Sequence, residues 1–389
     1  MSELLQNHRR IVLYLVVSNF LMYFGFQVWQ TMFNNYAVET VGVGPASIGL
    51  IQALREAPGL VGLLIGVLAL YLSEIRIMAL SVVVLGAGMI FTGQANSVPA
   101  LMIATVVMSL GFHFFMPSSN SVVLMAVKTG ETPKTLGQLG SLSSIASVLG
   151  TAGVFLLASR LGYRTLFVGV GVLAVLGGLL LIPLGAMRNS LPMNRKLILR
   201  RRYWLYYTLS FLLGSRRHIF TTFAIFLFVR QYSISVQTTA ALYLVNSVIN
   251  IFTLRLAGQL VGRLGERVAL TIAFASLAFI FLGYAFITFL PALFLLFVLD
   301  NVLFGFNIAL TTYFQKIAAS PEEITSNLSA EQAINHIAAV VIPILGGAAW
   351  ELLGPRAPFL VGIGIVLIAL ALTQLIRTPA ADGGGFRAR

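Results

Sequence analysis

Residues 203–229 read YWLYYTLSFLLGSRRHIFTTFAIFLFV. A bilayer core is crossed by about 20 largely apolar residues, and this run exceeds that length, so it is read as a helix in lipid. Its middle carries Arg216, Arg217 and His218. A charge at the bilayer centre costs from about 3 to more than 10 kcal/mol. It is tolerated only where it faces protein, water or a ligand. Gly214 and Ser215 just before the triplet are expected to loosen the helix, because broken helices at membrane depth line binding sites. Three successive residues cover most of a helix circumference. One arginine is therefore expected to face a cavity and the other to pair with an acid, for which Asp300 and Glu331 are available.

The rest of the chain is of the same kind. Of its 389 residues 58% are hydrophobic and 10% charged, against about 25% charged in an ordinary soluble domain. Thirty-six glycines suit closely packed membrane helices. Without cysteine there is no disulfide and no thiolate metal site. A net charge of +13 would suggest nucleic acid in a soluble protein, but here the basic residues lie in loops, so no nucleic-acid partner is expected.

Apolar runs place spans near 11–33, 47–72, 76–95, 98–126, 135–159 and 164–185, then 203–229, 237–261, 268–289, 291–318, 325–350 and 357–376. The first is too long, and lacks the small-residue site, for a cleaved signal peptide. With the N-terminus inside, the inner segments hold seventeen Lys and Arg and the outer loops four, namely Arg160, Arg164, Arg230 and Arg356. By the positive-inside rule both termini are expected in the cytoplasm, in a multi-pass protein of the cytoplasmic (inner) membrane. The expected domains are a six-helix bundle over 1–187, a linker over 188–202, a second bundle over 203–378 and a disordered tail over 379–389.

The halves repeat at an offset of about 192 residues. Arg9-Arg10 and Tyr14 match Arg201-Arg202 and Tyr206, and Leu161-Gly162-Tyr163-Arg164 with Phe167 matches Leu353-Gly354-Pro355-Arg356 with Phe359. Gly111-Phe112 matches Gly305-Phe306 with a shift of two. After the eighth span, Gly258 to Leu270 reads GQLVGRLGERVAL. Span count, repeat and loop together resemble the major facilitator superfamily of secondary transporters. Gly258, Arg263, Gly265, Arg267 and Leu270 match its loop signature, while Gly262 stands where the signature has an acid. The equivalent first-half loop, Leu72 to Arg76, barely matches. The resemblance implies an all-α integral membrane fold of twelve transmembrane helices in two pseudo-symmetric six-helix bundles, with the site at mid-depth between them. It also implies that Gly258, Arg263, Gly265 and Arg267 gate the cytoplasmic side.

The deep polar residues supply the candidate site. Arg55, Arg216, Arg217 and His218 are expected to contact substrate, and the amides Asn19, Gln27, Asn246, Asn250 and Asn307 to make the cavity polar. Neighbours on a helix point about 100° apart, so Arg55 and Glu56 are expected to face different surroundings. Glu56, Asp300, Glu331, His113 and His336 are candidate proton carriers, since burial or a nearby charge brings such groups into the titrating range. Arg255 is expected to snorkel to the interface.

No phosphate-cradling loop, His-Glu-x-x-His or Gly-x-Ser-x-Gly occurs. The expectation is a non-enzymatic secondary transporter without cofactor or resident metal. It is expected to act as a monomer in the lipid bilayer, coupling protons to movement of a small anionic solute by alternating access. A drug or amphipath exporter is the alternative, although the glycine-proline motif of such exporters is missing from 140–153. A non-transporting receptor or scaffold is the second alternative.

Overall fold

The computed structural model describes residues 2–60, 68, 71–127, 131–184 and 198–377. Most of the linker and the expected tail therefore lie outside the described residues. Among the described residues, twelve α-helices follow in order: α1 Ser2–Glu39, α2 Pro45–Leu60, α3 Glu74–Gln94, α4 Val98–Ala126, α5 Thr132–Leu181, α6 Trp204–Tyr232, α7 Val236–Leu264, α8 Glu266–Phe286, α9 Leu290–Leu303, α10 Ile308–Ile317, α11 Pro321–Leu353 and α12 Ala357–Thr373. Nine stretches among the described residues are long and apolar enough to cross a membrane. One of them, Lys134–Leu181, is long enough to cross twice. With α2 and the shorter α12, this accommodates the twelve expected passes.

Local chemistry sets the helix ends. The Ser235 side chain accepts a hydrogen bond from the Thr238 N–H at the start of α7, and Ser320 does the same for Glu323 at α11, satisfying N–H groups that a helix start leaves free. The two corners paired by the repeat are built alike. Gly162 (φ 74°) breaks α5 between the fifth and sixth passes, and Gly354 (φ 92°) ends α11 before the twelfth. Positive φ at both positions explains why glycine recurs there.

The two halves meet on the face opposite the chain termini. α2 crosses α11 so closely that a Cβ on Gly49 would lie 2.1 Å from the Pro343 carbonyl oxygen. Beside that crossing, Asn35 at the end of α1 donates to the Ile234 carbonyl (2.8 Å) and accepts from the Thr239 hydroxyl (2.9 Å). The Ala46 N–H also reaches the Glu351 carboxylate at 3.4 Å. These inter-half contacts lie at this end, and His336 approaches Glu56 across the halves at mid-depth. Toward the other end, the first turns of α5 and the last turns of α7 are largely exposed around their circumference. The chamber between the halves is closed on the face opposite the termini, while on the face that carries them the described ends of α5 and α7 are exposed.

Candidate functional site

The basic triplet sits at the middle of α6, about 20 Å along a helix rising 1.5 Å per residue. The expected loosening at Gly214-Ser215 does not occur: α6 is continuous from Trp204 to Tyr232. Gly214 instead admits a neighbour, since a Cβ there would lie 2.5 Å from the Asn335 side-chain oxygen. The broken element is the tenth pass, where α9 gives way to a 3-10 turn over Phe304–Asn307 before α10 resumes. Gly305 and Asn307, both weak helix formers, were the signal for it. The Phe304 ring in that turn lies 4.1 Å from the Arg216 guanidinium carbon and 6.0 Å from that of Arg217.

The two arginines part company here. Arg216 is fully buried and donates to Asp300 Oδ1 at 2.7 Å, with both side chains 0% exposed. It was expected to contact substrate, and Asp300 to carry protons, but this geometry makes them a closed pair inside the second half. Arg217 points the other way. It is exposed although it lies at mid-membrane depth, and it makes no hydrogen bond or ion pair to another described residue. His218, one position on, is buried.

Across the chamber, Arg55 and Glu56 correct another expectation. The arginine folds back along α2, and its Nη2 meets Glu56 Oε1 at 2.7 Å. Backbone directions 100° apart do not separate two side chains when one has the reach of arginine. The other oxygen of Glu56 lies 3.7 Å from His113 Nε2 on α4 and 3.4 Å from His336 Nδ1 on α11. The two imidazole centroids are 5.3 Å apart. Positions 56, 113 and 336 are too scattered for spacing to reveal this group, and its donor atoms fall within 4.8 Å of one another, where no metal site was expected.

The remaining candidates divide. Glu331 accepts from the Tyr206 hydroxyl at 2.6 Å and has no cationic partner among the described residues. Asn246 is buried with its side-chain oxygen unpartnered, and Asn250 accepts from Asn301 at 2.9 Å. Asn307 is half-buried in the 3-10 turn, and Gln27 donates to Thr31 on its own helix. Asn19 is buried, and its side-chain NH2 donates to the Leu15 carbonyl and to the Ser119 hydroxyl.

At the open end, Gly265 takes φ 79° between α7 and α8. Arg263 is exposed and Arg267 donates to Gln374. Sequence reasoning missed Glu266, which is buried and ion-paired with Lys316 at 2.7 Å. That pair borders a cavity of about 440 Å³ which Gly258 and Gly262 also line.

Two helical halves of membrane-spanning length, closed together over one face with charged side chains between them at mid-depth, have the architecture of a membrane carrier. The Major Facilitator Superfamily model matches residues 15–330, and the chain belongs to that family. It is a secondary transporter of small molecules held in a lipid bilayer. Among solved structures it is similar to a point mutant of the nucleoside transporter NupG, at 18% identity and TM-score 0.76 over 94% of this chain and 99% of that one. It is also similar to a bacterial homologue of the human lysosomal transporter Spinster, inward-facing and occupied. That match has 17% identity and a TM-score of 0.75 over 94% of this chain and 96% of the other. These likenesses are of fold. No curated protein matches the sequence.

Proposed function

We propose that this carrier moves a small anionic solute across the cytoplasmic membrane by alternating access, coupled to protons. The observation that carries this reading is Arg217, an exposed guanidinium at mid-depth that makes no hydrogen bond or ion pair with another described residue. A planar guanidinium forks onto the paired oxygens of a carboxylate or phosphate. Arg55 and Arg216 are already paired with the acids beside them, which leaves the Arg217 guanidinium available to a substrate anion. The loop charges favour termini in the cytoplasm, and in that orientation the chamber opens inward.

Proton coupling falls to Glu331. Of the three acids deep in the spans it is the one without a cation, so protonating it breaks no ion pair. The exposed Arg263 is proposed to hold the cytoplasmic side together when the halves close there.

The test is thermal stabilisation of purified protein by a panel of small carboxylates and phosphates at acidic and neutral pH, since a ligand of the native state raises its stability with occupancy. Arg217→Ala is expected to weaken anion binding about 10- to 100-fold, as charged hydrogen bonds are each worth about 1.5–3 kcal/mol, while leaving the unliganded melting point unchanged. Equal stabilisation of wild type and Arg217→Ala by every anion defeats the proposal.

A further inference from the structure

Three atoms with lone pairs converge between the halves. His113 Nδ1 lies 2.9 Å from Ser109 Oγ and 3.0 Å from the Ser109 carbonyl oxygen. The Ser109 hydroxyl is itself donated to the Arg55 carbonyl. Both Ser109 oxygens therefore accept and Nδ1 carries the hydrogen, so in the neutral ring Nε2 presents a lone pair toward Glu56. Glu56 Oε1 is taken by Arg55, so Oε2 faces His113 Nε2 at 3.7 Å and His336 Nδ1 at 3.4 Å. Two facing lone pairs are satisfied by a proton or a metal ion between them, and His336 Nδ1 adds a third lone pair in its Nε2–H tautomer, which gives a metal ion three ligands.

We propose that Glu56, His113 and His336 bind a divalent transition-metal ion of the zinc, cobalt and nickel class. Two imidazoles and one carboxylate suit these ions, whereas calcium takes six to eight oxygens. The separations fit. A point about 2.4 Å from all three ligand atoms exists within the spacing stated above, so closing by about 0.3 Å reaches the usual zinc–nitrogen and zinc–oxygen distances. The Ser109 contacts orient the His113 ring as the outer partners of metal-bound imidazoles do. The three side chains are 12–27% exposed, which leaves a coordination position for water. The nearby Arg55 and Arg217 charges oppose a cation, and this makes the binding reversible.

Glu56 and His113 belong to the first half and His336 to the second. The ion therefore bridges the halves and holds the chamber in the conformation seen here. This inference does not depend on the cargo being an anion.

The experiment is Co²⁺ titration of the tag-free full-length protein in lipid nanodiscs, followed by visible absorption. The chain has no cysteine, so thiolate bands cannot confuse the spectrum. The expected result is cobalt d–d absorption that Zn²⁺ displaces, together with a Zn²⁺-dependent rise in melting temperature. Affinity should fall more than about tenfold in His113→Gln and in His336→Gln, and stay unchanged in His8→Gln. The two ligand variants lie in different halves, so one that fails to fold leaves the other as the test. Absence of d–d absorption at every pH, as expected of a cluster that shares only a proton, overturns the proposal. So does absorption that survives both substitutions.

Discussion

Replacing Asp300 tests whether the adjacent arginines of α6 have separate work. Arg216 is wholly buried and its one hydrogen bond is to Asp300 at 2.7 Å. Arg216 Nε and Nη2 and Asp300 Oδ2 are buried without partners. Removing one member of a buried ion pair leaves the other charge desolvated, at a cost of about 3–5 kcal/mol. Asp300→Ala is expected to lose that much. Because the pair is only partly satisfied, Arg216→Met with Asp300→Leu is expected to regain most of the loss, as apolar replacement of such pairs is often neutral or better. The Phe304 contact with Arg216, at 4.1 Å, is worth about 2 kcal/mol when desolvated, and this bounds the shortfall of the double variant. Unfolding in denaturing detergent, read by tryptophan fluorescence, gives the energies, and anion stabilisation gives the function. The double variant should still bind anions through Arg217. If it folds but no anion stabilises it, Arg216 touches cargo. If it is as unstable as Asp300→Ala, the pair is not the structural unit described here.

At the closed face, Gly49→Ala puts a Cβ 2.1 Å from a backbone oxygen of α11, and backbone cannot step aside. This variant is expected to open that face, with single cysteines introduced near Ala46 gaining reactivity toward an impermeant maleimide; unchanged reactivity counts against the crossing as the seal. Glu331→Gln is expected to abolish pH-driven uptake in proteoliposomes yet preserve exchange of labelled for unlabelled solute; retention of pH-driven uptake moves the proton elsewhere. Glu323 lies just before the eleventh pass, where the Tyr203 hydroxyl, the Ala319 N–H and the guanidinium groups of Arg200 and Arg202 hold its carboxyl below the usual range. A depressed pKa in the folded state contributes stability above the ordinary carboxylate pKa, lost as pH falls through the folded one. Docking of residues 198–203 on α11 should therefore loosen on acidification, seen as faster amide exchange there, and Glu323→Gln should remove that pH dependence.

Apolar length, loop charge and the repeated Gly162 and Gly354 corners made the fold readable before any coordinates. The site was only partly readable. Depth identified Arg216, Arg217 and Arg55, and arithmetic on a helix circumference anticipated that one of the triplet would pair with an acid. It could not say which one, because a rotation of 100° decides between solvent and core. Asn19 meets the same limit: an amide at membrane depth serves packing as readily as a cavity. The Glu56, His113 and His336 group was hidden because its members come from three helices and both halves. The break at Phe304–Asn307 was overlooked because Gly305 had been matched to Gly111, which stays helical within α4.

The placement of charge constrains how the halves can move. Arg55 with Glu56 and Arg216 with Asp300 each lie within one half, so a rocking motion carries them as neutral units and never exposes a bare charge to lipid. The contacts that must break are those between halves: the Asn35 clamp, the α2–α11 crossing, and the approach of His336 to Glu56. Arg217 and Glu331 are deep ionisable groups of the second half that make no ion pair within it. An unpaired guanidinium in a closed chamber costs several kcal/mol, and an anion bound beside it offsets that cost where an empty site cannot. For the proposed anionic cargo, the energetics of closure therefore favour the loaded carrier over the empty one.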